Sequence, residues 1–288
     1  MKFIHQSALL ALSGAALCAS TAMGAISIES GGLALAFYST NPAESNTYVF
    51  DLGSGADFRE NTAYNVPITT VNTALTSANI GIDLVTTFGA DWYDSGDVRW
   101  MIVGTVKSTD SVTNGDPART SYLSIGRSNL AFSTTISTFT STGRGNLNTQ
   151  ATNFTEGVAG ATQTVGINPA GSIINESQIK TVDEYVPPGA GTVTTYFGTG
   201  VDPQQTFGSG TIANSSVEGA LDLYRILHST SGADLTAGYS ATDAVVGEGQ
   251  YIGTLTINSA GALSVIPEPS SALLGVAGAL GLCLRRRR

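Results

Sequence analysis

The strongest constraint on this chain is an alternation of apolar and polar residues in short runs through residues 25–264. The clearest run is 98–106, where Trp100 and Ile102 would lie on one face of a strand and Met101 on the other. Residues 258–261 form a turn sequence that joins the last two runs into a predicted hairpin. Six further runs of this kind lie between glycine, asparagine and aspartate residues: 26–38 (broken at Gly31 and Gly32), 47–52, 193–197, 221–227, 251–257 and 262–266. The sequence therefore predicts one mainly β domain, either sandwich-like or irregular.

Three segments depart from this alternation. Residues 69–87 carry apolar side chains every three or four residues, as at Val71 and Leu75, which predicts one or two short helices. Residues 221–228 also fit a helical turn, although we favour a strand there. Residues 128–166 are rich in threonine, serine, asparagine and glycine, which favours edge strands, long loops or a mobile region.

The charge and the cysteine content exclude several classes of function. Only 12% of the residues are charged, and residues 25–265 contain eight basic side chains against 21 acidic ones. A protein that binds nucleic acid through its surface needs clustered lysine and arginine, so we expect no nucleic-acid partner. Cys18 and Cys283 lie in apolar terminal segments, and His228 is the one histidine between them. The body between these segments therefore lacks the residues for a disulfide, a thiolate zinc site or a three-histidine zinc site.

Residues 1–24 have the three parts of a secretory signal peptide. Lys2 supplies the positive charge, an apolar run follows, and Ala22 and Gly24 place small side chains before the cleavage site. The apolar run is about ten residues and about 15 Å long as a helix, whereas a membrane span needs about 20 residues. We therefore expect export through the Sec translocon and a signal peptidase cut between Gly24 and Ala25, with a cut after Ala22 as the alternative.

Residues 265–288 combine three elements in a fixed order. The first is Pro267, Glu268 and Pro269, in which both prolines lack a backbone N–H donor and favour an extended chain. The second is a mostly apolar run at 270–284, which predicts a membrane helix. The third is a cluster of four basic residues at the end of the chain: Arg285, Arg286, Arg287 and Arg288. By the positive-inside rule this cluster stays in the cytoplasm and the body lies outside.

This order of elements resembles the PEP-CTERM sorting signal of Gram-negative bacteria that produce exopolysaccharide. Proteins with such a tail are substrates of exosortase, a membrane enzyme that recognises the tail and removes it near the motif. The resemblance implies that Pro267, Glu268 and Pro269 are the recognition element and that the four arginines are the cytoplasmic stop. It also implies a precursor held transiently in the inner membrane and a product at the cell surface or in the extracellular matrix.

Three aromatic residues are candidates for a contact with carbohydrate. Trp92, Tyr93 and Trp100 lie close together in the sequence, and an aromatic ring can stack on the C–H face of a sugar. Core packing is the commoner fate of such residues, and we favour it here.

Three carboxylates at three-residue intervals, Asp91, Asp94 and Asp97, form a weak candidate for a calcium site. Their spacing lacks the alternating ligands and the bidentate glutamate of an EF-hand loop. We therefore favour a solvated turn between a helix and a strand, and we predict no metal and no cofactor.

The sequence contains no pattern of a nucleophile with its base, so we predict that the protein is not an enzyme. The favoured function is a structural protein of the cell surface or extracellular matrix that associates with exopolysaccharide. A carbohydrate-binding or adhesion module is the alternative, and a secreted hydrolase is less favoured.

Overall fold

The computed structural model describes residues 25–39, 41, 43–60, 66–110, 112–126, 141–175, 178, 205–206, 220–228 and 249–267. The helices in these ranges are α1 (Gly55–Glu60), α2 (Ile68–Val71), α3 (Gly81–Phe88) and α4 (Ser141–Gly160). The strands are β1 (Gly32–Ser39), β2 (Asn46–Ser54), β3 (Val66–Pro67), β4 (Val98–Thr105), β5 (Val112–Thr113), β6 (Asp116–Pro117), β7 (Ser121–Gly126), β8 (Gln163–Val165), β9 (Gly171–Asn175), β10 (Gln205–Thr206), β11 (Ala220–Ile226), β12 (Gly249–Ile257) and β13 (Leu263–Pro267).

Most of the described strands belong to one antiparallel sheet. Ten of them lie side by side in the order β3-β13-β12-β11-β7-β4-β1-β2-β9-β8, and β10 pairs with β4 beyond the end of β7. The short strands β5 and β6 form a separate hairpin. The long strands therefore join in a single hydrogen-bonded path rather than in the two separate sheets of a sandwich.

One face of the sheet encloses the larger hydrophobic core. Leu33, Leu35 and Phe37 alternate along β1 and enter this core, and Leu263 and Val265 of β13 enter it from the other half of the sheet. The sheet must therefore curl to bring these distant strands together. The first three helices fill the space inside the curl with buried apolar side chains: Phe58, Ile68 and Leu84.

The opposite face of β1 is covered by α4. Ala34, Ala36 and Tyr38 of β1 form a smaller core with one stripe of that helix, which consists of Ala151, Phe154 and Val158. Each large apolar side chain buried in this way contributes about 1.5–3 kcal/mol to folding. Every residue of β1 is buried, so this strand is the centre of both cores.

The prediction of a mainly β body with short helices is confirmed. The runs at 47–52, 98–106, 221–227, 251–257 and 262–266 correspond to β2, β4, β11, β12 and β13. β12 and β13 are antiparallel neighbours, which confirms the predicted hairpin. Gly261 adopts a φ of +79° in the connecting turn, a conformation that favours glycine.

The first run behaves differently from its prediction. Residues 32–39 form β1, whereas the preceding part of the run is not a strand. Ile26 and Ile28 instead pack in the smaller core, on the face of the sheet opposite Leu33. The helices predicted within 69–87 are confirmed as α2 and α3, although α2 begins one residue earlier.

Residues 128–166 were predicted to form edge strands, long loops or a mobile region. This prediction was wrong for most of the residues that the structure describes there, because α4 occupies Ser141–Gly160. Threonine, asparagine and glycine have low helix propensity, so the composition of this segment favoured a loop. The apolar residues that anchor the helix are few, but their spacing is helical: Leu147, Ala151, Phe154 and Val158. Packing of this stripe on the sheet stabilises a helix that the composition alone disfavours.

The strand predicted at 193–197, the signal peptide at 1–24 and the membrane helix at 270–284 lie outside the described residues. Across the part of the chain that the structure describes, no helix has both the length and the apolar character needed to cross a bilayer.

Candidate functional site

Residues 77–83, named here the edge clasp, connect the two ends of the curled sheet. On one side the clasp binds the turn between β12 and β13: Ile80 N donates to Gly261 O at 2.9 Å, and Leu263 N donates to Ala78 O at 2.7 Å. Gly81 lies so close to this turn that a Cβ atom would stand 2.1 Å from the Ala260 carbonyl oxygen. The clasp is therefore fixed to the β13 side of the sheet by backbone contacts.

On the other side, the clasp binds the turn between β8 and β9 through one buried carboxylate. Asp83 Oδ1 accepts a hydrogen bond from Ile167 N at 2.6 Å, and Asp83 Oδ2 accepts one from Asn168 N at 3.1 Å. The hydroxyl of Tyr48 in β2 donates a third bond to Oδ2 at 2.9 Å. A Cβ atom at Gly166 would lie 2.6 Å from the same oxygen, so the close approach requires glycine.

A cleft of about 260 Å³ opens between the clasp, the start of α3 and the β8–β9 turn. Its lining is formed by neutral polar side chains, isoleucines, one proline and one carboxylate: Thr76, Ser77, Asn79, Ile80, Ile82, Asp83, Ile167, Asn168 and Pro169. Asp83 is 2% exposed and already accepts three hydrogen bonds. The accessible part of the cleft is therefore uncharged.

Large apolar side chains are exposed beside this cleft. Ile82 is 64% exposed and Ile167 is 66% exposed, and both line the cleft. Val85, one helical turn from Ile82, is 44% exposed. Among the described residues these are the three exposed large apolar side chains. Exposed apolar groups that gather around a polar cleft are typical of ligand-binding surfaces.

Burial raises the pKa of Tyr48 far above its ordinary value, and the negative charge of Asp83 and the hydrogen bond to it add to this shift. The hydroxyl therefore keeps its proton and remains the donor to Asp83 at any pH at which the protein is folded. This bond holds β2 to α3 and fixes the inner wall of the cleft.

A second buried carboxylate, Asp116 of β6, lies in a cluster of charged groups. Arg59 Nη1 donates to Asp116 Oδ1 at 2.6 Å, and Arg225 Nε lies 2.8 Å from the same oxygen. The Tyr122 hydroxyl donates to the other oxygen. Arg59 also donates to the carbonyl of Asn114, so the cluster joins the β5–β6 hairpin to α1, β7 and β11.

The cluster raises the pKa of two of its members, Tyr122 and Arg59. Burial raises the pKa of Tyr122, and the charge of Asp116 raises it further, although the two arginines lower it in part. Burial is the largest single influence on Arg59 and lowers its pKa, but the combined attraction of Asp116, Tyr122 and Glu60 leaves the pKa raised. Both groups therefore keep their protons, and the cluster has the character of a structural ion network.

The structure places the two predicted tryptophans in the core. Trp92 is 1% exposed and Trp100 is 0% exposed, so neither ring presents a face to a sugar. Trp100 stacks on Phe37 with ring centroids 5.8 Å apart, and Trp92 packs edge-on against Tyr93 at 5.3 Å. The structure therefore agrees with the core packing favoured from the sequence, and the two largest rings of the candidate glycan platform stabilise the fold.

The three aspartates of the weak calcium candidate do not converge. Asp91, Asp94 and Asp97 are all exposed, and backbone bonds from Asp94 N and Ser95 N to Asp91 O fold the segment into a turn. Gly96 continues this turn with a φ of +72°. No group of three or more carboxylate, histidine or cysteine residues within the described ranges is arranged to hold a metal ion.

The described residues reach the edges of both predicted processing sites. Ala25 is exposed, and the next residue, Ile26, exchanges two hydrogen bonds with the Gln163 side chain at 2.7 and 2.8 Å. Pro267 is the last residue of β13, so this strand extends past the predicted boundary between residues 264 and 265. Gly24, Glu268, Pro269 and the four terminal arginines lie outside the described residues.

Sequence reasoning missed Asp83, Asn79, Asn168 and the isoleucines at the cleft. The one available signal was Asp83 inside an apolar helical segment, because a carboxylate on a buried face needs specific hydrogen-bond donors. The sequence did not identify those donors, which lie 35 and 84 residues away from Asp83.

No family model, no curated protein and no solved structure matches this chain.

Proposed function

We propose that this protein is an exported surface or matrix protein that exosortase releases from the inner membrane by removing its C-terminal tail. The observation that carries the proposal is the order of the last residues, in which the Pro-Glu-Pro motif begins at the last residue of β13 and is followed by an apolar run and an arginine cluster. In this proposal the segments 1–24 and 270–284 act as the signal helix and the membrane helix. Both are removed from the final product.

The start of the body supports this processing scheme. Ile26 is buried and held by Gln163, so a signal peptidase cut between Gly24 and Ala25 leaves every contact of Ile26 in place. The body then enters the matrix as a folded β-rich unit. Its role there is structural and non-enzymatic, in association with exopolysaccharide.

The variant Glu268→Ala tests the sorting role of the tail. Cells of a bacterium that contains exosortase would express the full chain, and fractionation with an antibody against the body would locate it. We expect the variant to accumulate in the inner membrane at full length, whereas the native chain appears in the extracellular fraction.

The matched control is Glu44→Ala, which removes a glutamate from a loop of the body. We expect this variant to be processed like the native chain. Normal processing of Glu268→Ala, or equal retention of the native chain in the membrane, would contradict the proposal.

A second candidate function is binding of a neutral polysaccharide at the cleft beside α3. Sugar hydroxyls pair well with amide and hydroxyl groups, and the C–H faces of a sugar pack on apolar side chains. The cleft offers both, because Asn79 and Thr76 line it together with the exposed Ile82 and Ile167. Within the described residues, neither the Thr76 hydroxyl nor the Asn79 side-chain nitrogen is hydrogen-bonded to another protein group. An anionic sugar is disfavoured, because none of the residues that the structure describes around the cleft is basic.

Titration calorimetry with neutral oligosaccharides and with uronic acid oligomers tests this function. We expect the ligand to be among the neutral oligosaccharides. The double variant Ile82→Ser with Ile167→Ser should bind that ligand at least tenfold more weakly, and its melting temperature should be unchanged. Ala90→Ser, an exposed position outside the cleft lining, is the control and should bind normally. Binding that survives the double variant, or that is confined to the uronic acid oligomers, would rule out the cleft as a neutral-glycan site.

A further inference from the structure

Strand β13 is paired on one side along its whole length and on both sides at two of its five residues. It pairs with β12 from Leu263 to Pro267, where Pro267 stands opposite Gly253. On its other side it pairs with β3, with Ser264 opposite Pro67 and Val265 opposite Val66. The backbone that leads into the Pro-Glu-Pro motif is therefore engaged on both sides up to Val265 and on one side up to Pro267.

Two buried side chains also hold β13 in place. Leu263 is 0% exposed and Val265 is 1% exposed, and both belong to the larger core. Leu263 N also donates to Ala78 O at 2.7 Å, which attaches the strand to the edge clasp. Removal of β13 from the sheet would expose both apolar side chains and break the contact that joins the two ends of the sheet.

An enzyme that cuts a peptide bond must first bind several residues around that bond in an extended and accessible form. In β13 the backbone is already paired with β12 as far as Pro267, and it is also paired with β3 at Ser264 and Val265. Opening the strand costs the hydrogen bonds and the burial of Leu263 and Val265 together. In the folded body, the accessible substrate therefore begins after Pro267.

We infer that the tail is cut C-terminal to Pro267 and that the mature protein keeps the whole of β13. This inference rests on the proposed function, because it concerns the bond that the processing enzyme breaks. The bond is a peptide C–N bond: its carbonyl carbon gains the oxygen of water and becomes the carboxylate of the body, and the tail leaves as a protonated amine. Val265 stays in the core of the product.

The same geometry places the body close to the membrane before the cut. Two residues, Glu268 and Pro269, separate β13 from the predicted membrane run at 270–284. The chain takes three residue steps from Pro267 to residue 270, so a fully extended connection spans at most about 11 Å. The end of the sheet that carries Pro267 must therefore face the bilayer in the precursor.

Peptide mass spectrometry of the mature protein from exosortase-containing cells tests the inference. After digestion of the purified product, we expect a C-terminal peptide that contains Val265 and ends at Pro267 or later. A C-terminal peptide that ends at Ile266 or earlier would overturn the inference while leaving removal of the tail intact. A product that still carries Arg285 would overturn the proposed function and this inference with it.

Brief digestion of the purified full-length chain with proteinase K provides a second measurement that does not need exosortase. We expect the first stable fragment to retain Val265, because this residue is buried and is paired with both β12 and β3. Cleavage within 263–266 at the same rate as loss of the tail would show that the strand is open in solution, and this outcome would overturn the inference.

Discussion

Two buried aspartates hold this fold together by different physical means. Asp83 is 2% exposed and accepts bonds from a tyrosine hydroxyl and two backbone amides, so all its partners are neutral. Asp116 is 1% exposed and lies between two arginines and a tyrosine, so its charge is balanced by opposite charges. The first closes the two ends of the sheet, and the second attaches the β5–β6 hairpin to it.

The difference shows where the fold depends on charge. Loss of the Asp83 carboxylate leaves backbone N–H donors without an acceptor. It leaves no buried ion without its counter-ion, because the described partners of Asp83 are neutral. Loss of the Asp116 carboxylate removes a counter-ion from Arg225, whose charge is buried because the residue is 4% exposed. The penalty for an uncompensated buried charge exceeds the penalty for an unsatisfied neutral group.

The largest expected effect is that of Asp116→Asn. The substitution keeps the shape of the side chain and removes the charge between Arg59 and Arg225, so we expect a loss of about 3–5 kcal/mol in unfolding free energy. Urea titration followed by tryptophan fluorescence would measure it. Asp94→Asn, at an exposed position, is the control and should change stability by less than about 0.5 kcal/mol. Equal stability of the two variants would show that the cluster does not depend on the charge of Asp116.

A smaller effect is expected for Asp83→Asn. One side-chain oxygen can still accept the bond from Ile167 N, but the new amide nitrogen faces the Asn168 N–H donor. We expect a loss of about 2 kcal/mol, which is typical of an unsatisfied buried donor. The same urea titration would measure it. A loss as large as that of Asp116→Asn would mean that the two aspartates do not differ in the way described above.

The smallest effect is a fall in stability at alkaline pH. The pKa of Tyr48 and that of Tyr122 are both raised in the folded protein by burial and then by a neighbouring aspartate. Above about pH 10 the unfolded chain loses these phenolic protons while the folded protein keeps them, so stability falls as pH rises. Each tyrosine should contribute about 1.4 kcal/mol per pH unit above that point.

The variants Tyr48→Phe and Tyr122→Phe separate the two contributions. Each removes one titrating group, so each should show a shallower decline in stability between pH 10 and pH 11 than the native chain. Their cost measured between pH 7 and pH 9 should be constant, because all phenols are protonated there. An unchanged alkaline slope in either variant would contradict the assignment for that tyrosine.

Much of the sheet could be predicted from the sequence, whereas α4 and the cleft could not. The alternation at residues 98–106 predicts a strand because neighbouring side chains of a strand point to opposite faces, which is a local property. In α4 the apolar stripe of Leu147, Ala151 and Phe154 is narrow and the other residues are polar, so the composition favoured a loop. The helix forms because this stripe packs on the face of β1 that is opposite the larger core.

The candidate site residues illustrate the same limit. Trp92 and Trp100 were the chemically most suggestive residues of the sequence, yet both lie in the core. Ile82 and Ile167 have side chains of a type that is usually buried, yet both are exposed at the cleft. Residue type sets a preference for burial, but the curl of the sheet decides which side chains have a neighbour to pack against.

The sequence by itself determined the positions of the five longest strands and the order of the terminal segments that predict processing, because both depend on residues that are close together along the chain. The tertiary structure alone decided how the ends of the sheet meet and which carboxylates are buried. Asp83 and its partner Ile167 are 84 residues apart, and Asp116 and Arg59 are 57 residues apart. Such pairs leave no local pattern in the chain, since their contact exists only once the sheet has curled around its core.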